Sequence, residues 1–515
     1  MTIRPAIQKL LTLRAVPPNL PLREEELINV SSATKRVAFA YERFRNTLEP
    51  DEEDILRRKA IFRILERRLD EDRPPQVSAI AVLQELIRAH YIKPLPHSYA
   101  TALAAILVKV QLIDSRLPQP VGDWFLHVIS VEIDRLLFPR LMEEALVHVM
   151  YEDVLGRAVW TDTLVAASDR DTQLYIACHR ALFAADDFEI AYHYFTHYFP
   201  EWQHERVAES EATRLSNRLE SFYKQLKPLV QHPARDRLMR LVRPTAVPYR
   251  LLRDMVRDNA AIFEGPDKEL DDVVIKTLQT RMQRIRGRMG KRMWHSVLFL
   301  FITKTLIGVV IELPYEIIFL RGAHWLALAV NIVFHPVLLF FLSMSARLPG
   351  QKNSDRAVEQ VRQIVTGEGE LPTIVVSTPR SYGALTWSFF AIIYAVLFMG
   401  IFWGMFSVLA LLDFSLVAMG IFVVFLGLVS FLSIRIRRSV DSVRVLPKRE
   451  GAISAVVSFL SLPILEFGRW LAENISQVNV ALFFMDNVLE APFKLLIDVT
   501  EEWFSFVRDR REEIT

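Results

Sequence analysis

From Leu385 to Leu412 the chain carries no Asp, Glu, Lys or Arg, and after Asp413 the stretch from Phe414 to Ile434 is free of them again. Each run is long enough to cross a hydrocarbon slab of about 30 Å. In lipid a backbone must satisfy its own hydrogen bonds, so an isolated apolar run of this length has to be a helix. Two more runs precede these. Gly322 to Ala346 is interrupted by His324, Asn331 and His335, and Met293 to Leu320 contains the segment KTLIGVVIELPYE. A single run of this kind would read equally as the buried helix of a soluble core, but four would not. The predicted fold is therefore all-α, with four transmembrane helices in two hairpins, 293–345 and 385–434, joined by a loop over 346–384.

Basic residues set the expected orientation. Arg281, Arg284, Arg286, Arg288, Lys291 and Arg292 precede the first span. Arg347, Lys352, Arg356, Arg362 and Arg380 lie between the hairpins, and Arg435, Arg437, Arg438, Arg444, Lys448 and Arg449 follow the last span. The opposite ends hold only Arg321 and Asp413. All three clusters fall on one side, so both termini are expected in the cytoplasm of an inner (plasma) membrane protein, with almost nothing exposed outside. The first eighteen residues have too short an apolar run for a signal-peptide core, and no cleaved signal is expected.

The first span carries charges that lipid disfavours. With Arg321 as the outer boundary and about 1.5 Å rise per residue, Glu316 lies some 7 Å deep, within reach of the headgroups. Lys304 lies roughly 25 Å deep and is expected to snorkel to the cytoplasmic side. Glu312, with a short side chain about 13 Å in, is the hard one to hide. Asn331 and His335 on the second span lie near its depth and offer an amide and an imidazole across the hairpin. Lys304, Glu312, Asn331 and His335 are thus the candidate intramembrane polar site, read either as a proton or cation site or as an interhelical contact that fixes the hairpin. Pro314 should kink this helix. Gly308, and the GxxxG pair Gly400 and Gly404, are candidates for close helix packing.

Residues 1–290 read as amphipathic helices throughout, in blocks at about 77–92, 98–115, 122–155, 172–199, 205–228, 236–262 and 268–290. Pro and Asp or Asn punctuate them. This predicts a large cytoplasmic helical domain, a bundle or an α-solenoid. LPTIVVSTP, Leu371 to Pro379, is the one short β-like stretch, set within a loop. Two helical faces show metal-like spacing: Glu189, His193 and His197, and Glu144, His148 and Glu152. Neither has the HExxH arrangement, and no cofactor is expected. The end, 435–515, reads as a cytoplasmic or interfacial amphipathic tail. Pro463, Glu466 and Arg469 argue against a fifth span there, and Leu482, Leu489, Phe493, Leu496, Trp503 and Val507 form an apolar stripe.

Composition removes other classes. Net charge is +2 and glycine numbers 17 in 515 residues, with neither GxxxxGK[ST] nor GxGxxG. Nucleic acid and a Gly-rich phosphate loop are therefore not expected. The single Cys178 excludes an intrachain disulfide.

The stretches YERFRNTLEPDEEDILRRKAIFRIL, ITKTLIGVVIELPYEIIFL and DNVLEAPFKLLIDVTEEW resemble segments of uncharacterised multi-pass membrane proteins of small-genome bacteria. The resemblance implies a bacterial inner membrane. It carries no activity and no site residue. Together these readings point to a membrane-anchored helical scaffold or adapter, not an enzyme, with the lipid bilayer and protein partners, including a second copy, as its contacts. The alternative is a subunit of an oligomeric ion or proton channel or transporter. A membrane-bound metalloenzyme is a third option and rests only on the Glu/His faces.

Overall fold

The computed structural model describes residues 3–14, 53–69, 73–161, 164–203, 209–265, 267–320, 324–345, 348–377, 383–446 and 451–477, together with positions 27, 28, 30, 39, 42, 322, 499 and 503. It is almost entirely helical and divides into two compact units. One comprises Lys9–Gly156 and Val165–Met239; the other comprises Met1–Gln8, Arg157–Leu164 and Arg240–Val478.

After α1 (Pro5–Arg14), the first unit is built from α2 (Glu53–Leu69), α3 (Pro75–Arg88), α4 (His97–Asp114), α5 (Val121–Leu137), α6 (Leu141–Leu155), α7 (Arg170–Phe183), α8 (Asp187–Tyr198) and α9 (Glu209–Val230). Several blocks that read as one helix in the sequence are two in the structure. Pro139 separates α5 from α6, because its missing N–H and ring cannot continue a helix. Ala184 leaves α7 in the left-handed region at φ 54°, and the Asp186 carboxylate then caps α8 by accepting from the Glu189 N–H at 2.8 Å. α5 is the hub. Phe125, Val128, Ile129 and Ile133 are fully buried, and α2, α4, α8 and α9 all pack against this one helix. A solenoid would limit each pair to its neighbours in sequence; packing of α2 on α5 and of α5 on α8 makes this a bundle.

Charge is also buried in this unit. Arg57 Nε donates to Asp134 Oδ1 at 2.5 Å, Arg58 donates to Glu189 at 2.8 Å and to Asp186 at 2.6 Å, and Arg135 also bonds Glu189. These pairs tie α2 to α5 and α8. Burial works against ionisation of Glu189, but Arg58, Arg135 and Arg140 outweigh it and hold its carboxyl below the usual range.

The second unit begins with the end of α10 (Arg235–Val242) and α11 (Ala246–Asp258), which Pro244 separates. Then comes α12 (Asp267–Ile307), 41 residues without a break. The boundary read from the sequence at 290–293 therefore lies inside a continuous helix, charged in its first half and apolar in its second. A π-helical turn at Gly308–Glu312 leads to α13 (Leu313–Phe319), followed by α14 (Trp325–Met344), α15 (Gln351–Thr366), α16 (Ala384–Leu411), α17 (Leu416–Asp441) and α18 (Ala452–Gln477). Among the described residues, four stretches are long and apolar enough to cross a membrane: Glu269–Phe319, Trp325–Met344, Ala384–Leu411 and Leu416–Asp441. The chain is a multi-pass membrane protein by this measure.

The loop between the hairpins is structured. α15 packs on α11 and α12, and Asn353 on α15 clips the chain after α17, donating to the Val443 carbonyl at 3.0 Å and accepting from Val445 N–H at 2.8 Å. Within LPTIVVSTP, the strand β2 (Ile374–Val376) pairs in parallel with β1 (Ala158–Trp160), Val159 opposite Val375. Arg281, one of the basic residues before the first span, is held by Asp254 at 2.5 Å. The apolar stripe expected from Leu482 to Val507 lies outside the described residues, save Trp503.

Glu132 on α5 gives the bundle a measurable pH dependence. It accepts from Trp202 Nε1 at 2.9 Å, and the Lys109 ammonium, bonded to the Trp202 carbonyl at 2.7 Å, lies nearby. Burial pushes the Glu132 carboxyl up to about 7, against the opposing pull of Trp202 and Lys109. The folded chain thus holds this proton more tightly than the unfolded chain. The stabilisation is complete below about pH 4.5 and is lost as pH rises through about 7. Glu132→Gln keeps an acceptor for Trp202 without the charge. It should stabilise the bundle at pH 8 by up to about 3 kcal/mol and leave it unchanged at pH 4.5, as read by urea unfolding at the two pH values. Equal stability of the two proteins at pH 8 would contradict the assignment.

Candidate functional site

The polar residues of the first hairpin meet inside the protein. Lys304 and Glu312 are each 1 % exposed, Asn331 and His335 0 %. The asparagine stands between the two charges. Lys304 Nζ donates to Asn331 Oδ1, and Asn331 Nδ2 donates to Glu312 Oε2 at 2.7 Å. A single amide therefore accepts from the cation and donates to the anion, and the three side chains together carry no net charge. Lys304 Nζ also lies 4.5 Å from the centre of the Phe425 ring of α17, a cation–π contact strengthened where water is absent.

Two expectations are corrected here. Lys304 does not snorkel: it turns inward to Asn331 and Phe425, because a hydrogen-bond acceptor and an aromatic face are closer than the aqueous boundary. Glu316 does not reach the headgroups either. It is 1 % exposed, and its Oε2 accepts from the His324 N–H at 2.8 Å, closing the turn between α13 and α14. Glu312 is thus one of three buried charges on this span.

Local backbone explains the placement. Pro314 has no N–H, and its ring would collide with the carbonyl of Val310 in a regular helix. The chain answers with a π turn, in which the Leu313 N–H reaches the Gly308 carbonyl five residues back. Pro314 was expected to weaken or kink the helix, and the distortion takes the form of this π turn at Gly308–Glu312, just before the proline. Gly308 makes the hairpin close. A Cβ there would lie 3.0 Å from Leu328 Cδ1 and 3.4 Å from Ile332 Cδ1 of α14.

His335 belongs to a second contact. Its Nε2 is 2.9 Å from the Phe422 carbonyl of α17 and its Nδ1 is 3.2 Å from the Asn331 carbonyl. Two acceptors face one ring, and a neutral imidazole can donate to only one of them. His335 therefore joins α14 to α17 and shares only the Asn331 backbone with the Lys304–Glu312 bridge. Glu312 Oε1 and Glu316 Oε1 are buried with no hydrogen-bond partner.

The other candidates separate. A Cβ on Gly400 or Gly404 would meet nothing within 4 Å, so the close packing expected at this GxxxG is not made among the described residues. It occurs at Gly427 and Gly468 instead, where a Cβ on Gly468 would collide with the Gly427 carbonyl. These two glycines are forty-one residues apart and form no local motif. Glu189, His193 and His197 do not converge on a metal. Glu189 faces Arg58 and Arg135, His193 Nε2 is bonded to the Tyr175 hydroxyl at 2.6 Å, and His197 is exposed. Tyr175 also meets His179 Nε2 at 3.1 Å, and burial drives His179 down to about 3, so it is neutral at physiological pH. His148 and Glu152 form an exposed pair at 3.2 Å. Among the described residues, no group of three or more His, Cys, Asp or Glu side chains is placed to hold a metal ion. The helical spacing is right, but interhelical arginines and a tyrosine take the ligands.

Sequence reasoning missed the α17 side of the site, Phe425 and the Phe422 carbonyl. Neither residue type signals a polar contact, and a backbone acceptor leaves no trace in composition. No protein-family model, curated protein or solved structure matches this chain.

The bridge makes a sharp stability prediction. Asn331→Leu strands a buried cation and a buried anion together and should cost about 3–5 kcal/mol. The triple variant Lys304→Met, Asn331→Leu, Glu312→Leu replaces the bridge with apolar contact and should recover most of that loss. Thermal unfolding in detergent micelles distinguishes them; an Asn331→Leu protein as stable as the wild type would show that the amide does not hold the charges.

Proposed function

We propose that this protein is a membrane-anchored helical scaffold that holds protein partners at the cytoplasmic face of a bacterial inner membrane, with its N-terminus in the cytoplasm. The observation that carries this reading is the closure of the Lys304–Asn331–Glu312 bridge. Its charges compensate one another, and its members are 0–1 % exposed. An ion pathway needs polar groups that face a hydrated route; these face each other. What remains is a fixed set of membrane helices and a large helical bundle whose own buried charges are also paired internally. The basic clusters around the spans support the cytoplasmic orientation, and the resemblance noted above supports the bacterial setting.

A second reading has one observation in its favour. Glu312 Oε1 is a buried carboxylate oxygen without a partner, beside a π turn. Such turns occur often at functional sites. On this reading, Glu312, Asn331 and His335 carry a proton or cation in an oligomer.

One variant separates the two. With Glu312→Gln, photo-crosslinking in native membranes should return the same partner bands as the wild type. Proteoliposomes of both proteins should show proton flux no faster than empty vesicles. Wild-type flux above that background, abolished by Glu312→Gln, would replace the scaffold with the channel subunit.

A further inference from the structure

α18 was expected to be part of a surface tail, yet three consecutive residues of it meet the middle of two membrane spans. Glu466 Oε2 accepts from the Tyr394 hydroxyl of α16 at 2.6 Å. Phe467 packs edge-on against Phe402 of α16, ring centres 5.9 Å apart. Gly468 lies against the backbone of Gly427 on α17. Tyr394 and Phe402 flank the midpoint of the apolar run Leu385–Leu412, each about 6 Å from it, and Gly427 is within about 5 Å of the midpoint of Phe414–Ile434. All three contacts fall within about 7 Å of the bilayer centre.

We infer that α18 is itself a membrane-inserted helix that returns alongside α17 at least to the bilayer centre, with lipid acyl chains covering its open face. Only ten residues separate α17 from α18, so the pair is an antiparallel hairpin. From Ala452 to Glu466 the helix rises about 21 Å. That carries it from the side where α17 ends through roughly half of a 30 Å slab and its near headgroup layer. The open face is apolar: Val456, Val457, Phe459, Leu460, Leu462 and Trp470 are 38–62 % exposed. It is continuous with the lipid-facing surface of α16, which carries Trp387 and Trp403 at 66 % and 75 % exposure.

The features that spoke against a fifth span have local answers. Pro463 sits inside the helix, which membrane helices tolerate when neighbours satisfy the freed carbonyl. Glu466 has the Tyr394 hydroxyl, and Arg469 follows one turn later with opposite charge. The close approach at Gly427 and Gly468 brings backbones together, as small residues do between membrane helices. Glu466 thereby becomes a third intramembrane carboxylate, on a different helix pair from Glu312 and Glu316.

The inference rests on α16 and α17 lying in the bilayer, and the test separates the two claims. Single cysteines replace Leu462 and Trp470 on α18, Trp403 on α16, and the exposed Lys352 on α15. Cys178 is 0 % exposed and stays in place. Each protein is spin-labelled and reconstituted in phosphatidylethanolamine–phosphatidylglycerol vesicles. Relaxation by oxygen and by a water-soluble nickel chelate is then measured. Labels at 462 and 470 should match the label at 403, with strong oxygen relaxation and loss of the nickel effect seen at 352. Nickel relaxation at 462 and 470 equal to that at 352, with 403 still protected, would overturn the membrane insertion of α18 alone. Nickel access at 403 as well would overturn the spans themselves. A second variant probes the packing: Gly468→Leu should raise nickel access at 470 by forcing α18 off α17, and unchanged protection at 470 would show that the glycine contact does not seat the helix.

Discussion

The membrane part of this protein depends on one amide. A lysine and a glutamate two helical turns apart cannot both stay ionised in a helix facing lipid unless each has a partner. An asparagine side chain can serve both, because its oxygen accepts and its nitrogen donates in opposite directions. Asn331 does this from the opposite helix, so satisfying the charges fixes the separation and register of the first hairpin. Gly308 follows from that closeness, since a side chain there would occupy the space of Leu328. The π turn before Pro314 follows too, because it carries Glu312 through the distortion that proline imposes while leaving it buried. α17 then seats on the finished hairpin through Phe425 over Lys304 and the Phe422 carbonyl on His335.

The helical bundle buries charge by a different route. Arg57, Arg58, Arg135 and Arg140 share Asp54, Asp134, Asp186 and Glu189, and Asp54, Asp134 and Glu189 each touch more than one cation. Redundancy suits a network whose rim, such as the half-exposed Asp54, is open, because an arginine can offer up to five donors. In the membrane the same number of charges would need desolvation without that rim. In the first hairpin the chain sets one cation against one anion through a neutral bridge, and a second acid, Glu316, closes the turn before α14. The contrast explains why the Glu189 face, which has metal-like spacing, is a structural node: guanidinium groups already fill the coordination that a metal would need.

What could be read from the sequence was the part written in long apolar runs and helical periods: the all-α fold, the four candidate spans, and a β-like stretch at Leu371–Pro379. Breaks within helical blocks were harder. Pro139 and Pro244 act locally and are visible in hindsight, but Ala184 adopts a left-handed conformation that alanine does not advertise. The Glu312–Asn331 juxtaposition followed from depth alone, since both lie near the same level across a tight turn. The direction of Lys304 did not, because depth says how far water is and nothing about a nearer phenyl ring and amide. Gly400 and Gly404 satisfied a local motif, whereas the glycines that do meet, Gly427 and Gly468, lie on separate helices and could be paired only by knowing the fold. The same limit hid α18: Glu466 looked like a charge in need of water until Tyr394, seventy-two residues away, supplied its partner.

Three interhelical contacts of the membrane part combine a polar link with close-packed or aromatic surface. The first hairpin has Asn331 and Gly308, α14 on α17 has His335 and Phe422, and α18 has Glu466 with Tyr394 and Gly468 with Gly427. In lipid, apolar side chains gain little by leaving the hydrocarbon for one another, so the hydrophobic effect that packs the bundle cannot choose among arrangements of these helices. Directional hydrogen bonds and steric fit must make that choice. A set of helices specified in this way is suited to holding one geometry, which is what an anchor for a cytoplasmic scaffold requires. A pathway for ions would need at least one of these links to open to water, and the unpartnered oxygen of Glu312 is the place in the first hairpin where such opening would begin.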